Sequence, residues 1–284
     1  MLKIVSLAPS NTEILFALGC QAETIAVTKL CDFPAGVAAK EKIGTWTGTD
    51  TAKIAALEPD IILTSYYFPK ELHNYNGRGE IYHFQAKTLT DVFTSIIELG
   101  ELVGKQTEAQ ALTDSMKTEF EKISVCSKNH EERPSVYAEE WSKPFMAGGN
   151  WVPEIISLAG GRTKFVEPGQ PSKKVSDQQI LVFNPEIIVA HWCGRANRSD
   201  VGSIKERKNW NHMRAVRAEN VYRIDDSLLN RPGPRLVSGA QAVHAIIHYA
   251  MAKKKDTENR TAAAADAATV KDGATPTMET VKTL

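Results

Sequence analysis

The chain holds 284 residues, 42% hydrophobic and 24% charged, enough to bury one large core or two modest ones. Its 34 Lys and Arg balance 34 Asp and Glu, so no net field steers it toward nucleic acid or an anionic membrane. The longest apolar runs, such as Pro185 to Ala190, are too short to span a bilayer. Cys20, Cys31, Cys126 and Cys193 lie far apart, which fits neither a zinc ribbon nor a redox pair; they read as reduced, mostly structural thiols.

The N-terminus passes from Met-Leu-Lys-Ile-Val-Ser-Leu straight into a polar turn, without the basic region and cleavage site of a secretory signal. As written the chain reads as cytoplasmic; removal of a leader would make it periplasmic. Leu2 to Leu7 is short, apolar and β-branched, as a buried parallel strand should be. Ser10 with Glu13 three residues on is expected to form a capping box, and Gly19 to end the helix that follows.

An internal echo comes next. Asp50 to Ser65 (DTAKIAALEPDIILTS) and Asp177 to Trp192 (DQQILVFNPEIIVAHW) both read as a helix, a Pro and a short aliphatic strand. Glu58-Pro59-Asp60 and Asn184-Pro185-Glu186 correspond in type. The repeat predicts two similar α/β lobes. Between them, Ala109, Leu112, Met116, Phe120 and Ile123 recur at three- and four-residue steps. That spacing predicts one amphipathic helix over 105–129, about six turns long, as a rigid spine. The second lobe opens with a strand at Ser135 to Glu139 and a Gly- and aromatic-rich loop from Trp141 to Trp151. It ends with a strand at Val221 to Ile224 and a helix from about Pro234 to Met251. Residues 253–284, without aromatics, are expected to be a disordered tail.

Distinctive residues follow the expected strand ends. Pro9 and Ser10 follow the first strand, Tyr66 and Tyr67 the first echo, and Trp192 and Cys193 the second. Trp141 follows the strand that opens lobe two, and Trp46 and Thr47 precede the first-echo helix. These positions share the carboxyl rim of a sheet, and two facing rims lined by Trp46, Tyr66, Tyr67, Trp141, Trp151 and Trp192 would suit a large, flat, partly apolar ligand. Asn230-Arg231-Pro232-Gly233-Pro234-Arg235 is a stiff loop presenting Asn230 and Arg231 before a helix start. Arg231 is balanced between ligand contact and a salt bridge, and Arg235 reads as structural. Asp225-Asp226 and Glu139-Glu140 are adjacent acids that point to opposite faces of a strand rather than pairing. There is no Gly-x-Ser-x-Gly, Walker loop or His-Glu-x-x-His, so catalysis is not expected. His191 and Cys193 could share a strand face, but a metal site needs three or four such groups, and none is assigned.

Ile4 to Gly19, Cys31-Asp32-Phe33-Pro34, Gly44 to Gly48 and Leu57 to Leu63 resemble cobalamin-binding solute receptors of ABC importers. That helical-backbone family also binds haem, siderophores and metal ions. Cys193-Gly194 and Asn230 to Arg235 resemble a leaderless branch of it. The resemblance implies two α/β lobes joined by a long spine helix, with a ligand cleft between them. The lobes would be 1–104 and 130–252. It implies a bound corrinoid, no required cofactor, a monomer, and ligand contacts at Pro9, Trp46 and the residues after the first-echo strand. It also implies docking on membrane subunits through an acid on each lobe. Glu71 matches in lobe one, while Asn230 holds the second position and Leu228 stands where a Trp is expected.

Overall fold

In the computed structural model, residues 1–45, 48–128 and 132–272 are described, with side chains through residue 262. The first sheet contains β1 (Ile4–Ser6), β2 (Thr24–Val27), β3 (Glu41–Lys42), β6 (Ile61–Ser65) and β7 (Glu80–Phe84), ordered β3-β2-β1-β6-β7 and all parallel. A small hairpin, β4 (Gly44–Thr45) with β5 (Gly48–Thr49), stands apart from it. The second sheet contains β8 (Val136–Ser142), β9 (Phe145–Ala147), β10 (Lys173–Lys174), β11 (Ile187–Ala190) and β12 (Val221–Arg223). Its order is β10-β9-β8-β11-β12, with β8, β11 and β12 parallel.

The echo is structural as well as textual. α2 (Thr51–Leu57) leads into β6, and α6 (Asp177–Phe183) leads into β11. Both strands take the fourth place in their sheets. Both helices end on a left-handed residue, Glu58 at φ 47° and Asn184 at φ 45°. Asp60 accepts the Lys3 N–H at 2.9 Å ahead of β1, and Glu186 accepts the Ser135 N–H at 2.9 Å ahead of β8. One local solution for starting a parallel pair is used twice.

Strand parity sorts the core. Ile4, Ile61, Leu63, Val136, Ala138, Ile187 and Val189 face one large core shared by both lobes. The intervening residues form separate outer cores: Val5 and Ile62 in lobe one, Tyr137, Ile188 and Ala190 in lobe two. α1 (Pro9–Ala17), α3 (Leu89–Leu102), α4 (Gln106–Ser127) and α5 (Val152–Leu158) pack into the shared core. α4 is the expected spine, with Ala109, Met116, Phe120 and Ile123 buried along it. α3 was missed by the sequence reading, although its Thr88–Asp91 capping box and the buried Leu89, Val92, Ile96 and Leu99 carry a helical pattern. The Leu89 N–H of α3 donates to the Glu154 carboxylate of α5 at 2.7 Å, tying the lobes directly. α7 (Val201–Lys205) and α8 (Arg214–Arg217) cover the outer face of lobe two.

Three expectations are corrected. Ser10 is no N-cap: α1 starts at Pro9, whose fixed φ suits a first helical position, and Ala8 caps it without a side-chain bond. Glu13, freed from a capping box, is buried. Trp141 lies within β8 rather than beyond it, because the chain continues into a β8–β9 hairpin. The closing helix α9 runs from Leu236 to Asp272, so the expected tail is helical through Asp272. Residues 253–272 hold six Ala and four Lys, which favour helix even without a core to join. Residues 273–284 lie outside the described part of the chain.

Candidate functional site

A cleft of about 290 Å³ lies between the lobes. Its walls come from the carboxyl ends of strands in both sheets: Leu7 to Ser10 after β1, Ser65 and Tyr66 at the end of β6, Glu140 of β8, Cys193 and Gly194 after β11, and Asp226 after β12. Open α/β sheets bind ligands at this edge, and here two such edges oppose. Gly149, Asn150, Trp151, Leu229, Asn230 and Arg231 complete the enclosure.

The cleft thus brings together Pro9, Ser10, Tyr66, Trp151, Cys193, Asn230 and Arg231 of the expected set. Tyr66 adopts φ 57°, an unusual value for a residue with a bulky side chain, and the residue is 54% exposed at the cleft mouth. Trp151 lays one buried edge on the cleft, and its Nε1 donates to the Leu229 carbonyl at 2.7 Å. Trp46 and Thr47 lie outside the described residues.

The remaining aromatic residues do not reach the cleft. Trp192 has the same strand parity as Ile188 and Ala190, so its ring enters the outer core of lobe two, where Nε1 donates to Glu139 at 2.8 Å. Trp141 follows a β-bulge in β8, is 37% exposed, and donates to the Lys143 carbonyl at 2.9 Å. Tyr67 is half-buried and does not line the cleft. Glu71 is half-buried, and its Oε2 is enclosed without a hydrogen-bond partner among the described residues.

Two acids missed by the sequence reading take their place. Glu139 and Glu140 do point to opposite faces. Glu139 is fully buried, bound by Arg207 at 2.6 and 2.7 Å, while Glu140 lines the cleft and bonds Ser172 Oγ. Asp226 Oδ2 accepts the Gly194 N–H at 2.8 Å and holds the loop after β11. The signal for both was present as an acid at a strand's carboxyl end. Burial, with Glu140 and Asp226 nearby, pushes the Cys193 thiol up against the opposing pull of Asn230 and Arg231. Cys193 is a protonated thiol in the free protein at neutral pH.

Arg231 both lines the cleft and crosses it. Its Nη1 donates to Glu13 at 2.9 Å and to Asp32 at 2.6 Å. Burial works against its charge, but the bonds to Asp32 and Glu13 outweigh it and raise the pKa. Arg235 binds the same Glu13 carboxylate and stacks 4.3 Å over Phe33. Among the described residues, no cluster of three His, Cys, Asp or Glu could hold a metal ion. No helix among them is long and apolar enough to cross a membrane.

Two lobes of matching α/β topology, a long connecting helix and an inter-lobe cleft at the strand ends define a bilobal solute-binding protein. Residues 4–228 match the periplasmic binding protein family, and the chain belongs to it. It is 27% identical over 261 residues to the vitamin B12-binding protein of Vibrio parahaemolyticus, covering 89% of this chain and 91% of that protein. It is 29% identical to an uncharacterized ABC transporter substrate-binding lipoprotein, YvrC, of Bacillus subtilis, covering 84% and 77%. The crystal structure of the periplasmic vitamin B12 binding protein BtuF of Vibrio cholerae superposes with TM-score 0.71 at 24% identity, over 88% of this chain and 97% of that one. The heme-binding protein BhuT in complex with two hemes gives TM-score 0.75 at 18% identity, over 87% and 98%.

Proposed function

We propose that this chain binds a corrinoid, with cobalamin the first candidate, in the inter-lobe cleft and performs no chemistry on it. It would serve as a transport receptor or as an intracellular carrier. The observation that carries this reading is the opposition of two sheet edges across one cleft, in a chain whose curated relatives include vitamin B12-binding proteins. Backbone N–H groups at the start of α1 are available to ligand amides, and Tyr66 and Trp151 supply ring surface. At about 290 Å³ the cleft takes only part of a corrinoid; the rest would extend past Tyr66 into solvent. Docking on a membrane partner through Glu71 belongs to the same reading. Asn230 is turned inward toward His191, so it offers no matching contact on lobe two.

A haem receptor is the second reading, favoured by the heme-bound structural relatives and by the Tyr66 phenol at the cleft mouth. Titration with cyanocobalamin, cobinamide and haemin, followed by Trp fluorescence and thermal melting, separates the two. Quenching and stabilisation by the corrinoids are expected. Neither signal with any of the three ligands removes the tetrapyrrole reading.

A further inference from the structure

We infer that this cleft selects against ligands that carry carboxylates, and that Glu140 sets the selectivity by accepting an amide N–H where a carboxylate would be repelled. The inference rests on the function proposed above and deepens it.

The charge of the walls comes first. Among the described lining residues the charged groups are Glu140, Asp226 and Arg231. Arg231 is the group that could hold an anion, but its charge is already met. Its Nη1 donates to both Glu13 and Asp32, and its Nη2 donates to Asp32 at 3.2 Å. Arg235 shares the same Glu13 carboxylate. Around the cleft, four carboxylates therefore stand against two guanidinium groups. A wall of this sign, with its one cation already paired, repels a further anion that must shed water to enter.

The two wall acids are held differently. Asp226 gives one oxygen to the Gly194 N–H at 2.8 Å and the other to the Ala196 N–H at 2.5 Å, so its side chain serves the loop after β11. For Glu140, the Gly149 N–H donates to Ser172 Oγ at 3.1 Å, which leaves the Ser172 proton for Glu140 Oε2. This clamp depends on Gly149, where a Cβ would come within 2.4 Å of the Ser172 main-chain nitrogen. The Glu140 carbonyl accepts the Cys193 N–H at 3.0 Å, which holds its main chain beside the same loop. Glu140 is thus fixed at both ends, while its Oε1 makes no hydrogen bond among the described residues. A pinned carboxylate with one open oxygen in a cleft wall suits a ligand donor, and a charged acceptor makes the stronger bond.

Donor chemistry separates the two tetrapyrroles. A corrinoid carries peripheral amides, which offer N–H groups. A haem carries two free propionates, which only accept when ionised. Glu140 can bond the first and opposes the second.

The test compares cyanocobalamin with its monocarboxylic acids, in which one peripheral amide is hydrolysed. Ring, metal and size are kept, and one negative charge is added. Fluorescence titration and binding heat give the ratio of the two Kd values. The wild type should prefer the amide about three- to tenfold, the effect of one like charge at roughly 6 Å in a partly hydrated site. Glu140→Gln keeps the shape and an acceptor oxygen and should bring the ratio close to one; Glu140→Lys should reverse it. Thermal melting checks the fold of both variants, and the wild-type ratio decides without them. Equal affinities in the wild type, or a preference that persists unchanged in folded Glu140→Gln, overturns the assignment and leaves corrinoid binding in place. Binding of neither corrinoid by the wild type overturns the underlying reading as well.

Discussion

The Glu13 carboxylate, 2% exposed, accepts from Arg235 Nε at 2.9 Å and from Nη2 at 2.6 Å, joining the first helix of one lobe to the entry of the last helix. Arg231 adds a third bond at 2.9 Å. With Leu89 held by Glu154 and one apolar core running through both lobes, the relative position of the lobes is set by packing as well as by the spine. Small closure motions follow from such an arrangement.

Glu13→Ala should therefore destabilise the whole chain. It leaves the Arg235 guanidinium, 19% exposed, facing a cavity without a counter-charge, and Arg231 with Asp32 alone. Removing one partner of a buried pair costs about 3 kcal/mol. Urea unfolding should show a lower midpoint with an unchanged slope. A midpoint equal to wild type would mean that the joint contributes nothing to stability.

Arg207→Met should be as damaging in lobe two, since it strands the fully buried Glu139 with only the Trp192 N–H. About 3 kcal/mol is again expected. Adding Glu139→Leu should recover part of that loss, because an apolar pair of similar volume needs no charge partner. A double-mutant cycle reads the coupling, and additive single effects would contradict it.

Asp32 carries a pH dependence of known sign. Burial pushes its carboxyl up, but the hydrogen bond and charge of Arg231 outweigh this and hold it below its ordinary value. A folded-state pKa lower than the unfolded one adds stability above the unfolded value, and that stability is lost as pH falls through the folded value. The Tm difference between wild type and Asp32→Asn should thus be present near neutrality and shrink in the acid range below about pH 4. The Asp32 side chain is 63% exposed, so the difference is small and weakens with salt.

The two left-handed helix ends should respond oppositely to glycine. Glu58 is exposed, at φ 47°, and its side chain makes no hydrogen bond or ion pair among the described residues; Glu58→Gly should stabilise by about 0.5–1 kcal/mol. Asn184 accepts the Arg214 N–H at 2.8 Å through its side chain, so Asn184→Gly should be neutral or destabilising. Chemical unfolding of the two variants side by side checks the contrast.

Trp151→Phe removes the N–H that satisfies the Leu229 carbonyl and should lower stability by about 1 kcal/mol. Among the described residues Trp151 is the tryptophan that lines the cleft, so the same variant should lose much of any ligand-induced quenching. Undiminished quenching would place the responding indole elsewhere.

Much of this architecture was readable from local pattern. The helix-Pro-strand echo, the three- and four-residue spacing of Ala109 to Ile123 and the apolar strand after Lys3 are signals carried within short windows, where periodicity reports burial. The residues after β1 and β6 and the Asn230–Arg231 pair were reachable for the same reason, since a strand's carboxyl end is known once the strand is known.

What escaped depended on partners distant in sequence. Trp192 and Glu140 look alike to a reader of strand ends, yet pleat parity sends the indole into a core and the carboxylate into the cleft. Glu13 reads as a cap until Arg231 and Arg235, more than two hundred residues on, arrive beside it. Sequence alone determined the repeated helix-Pro-strand unit, the spine helix and the edge where a ligand would sit, because these follow from backbone periodicity. Which side chains face that edge, and which arginine holds the lobes together, was decided only by tertiary packing, since charge and ring placement depend on neighbours that local spacing does not encode.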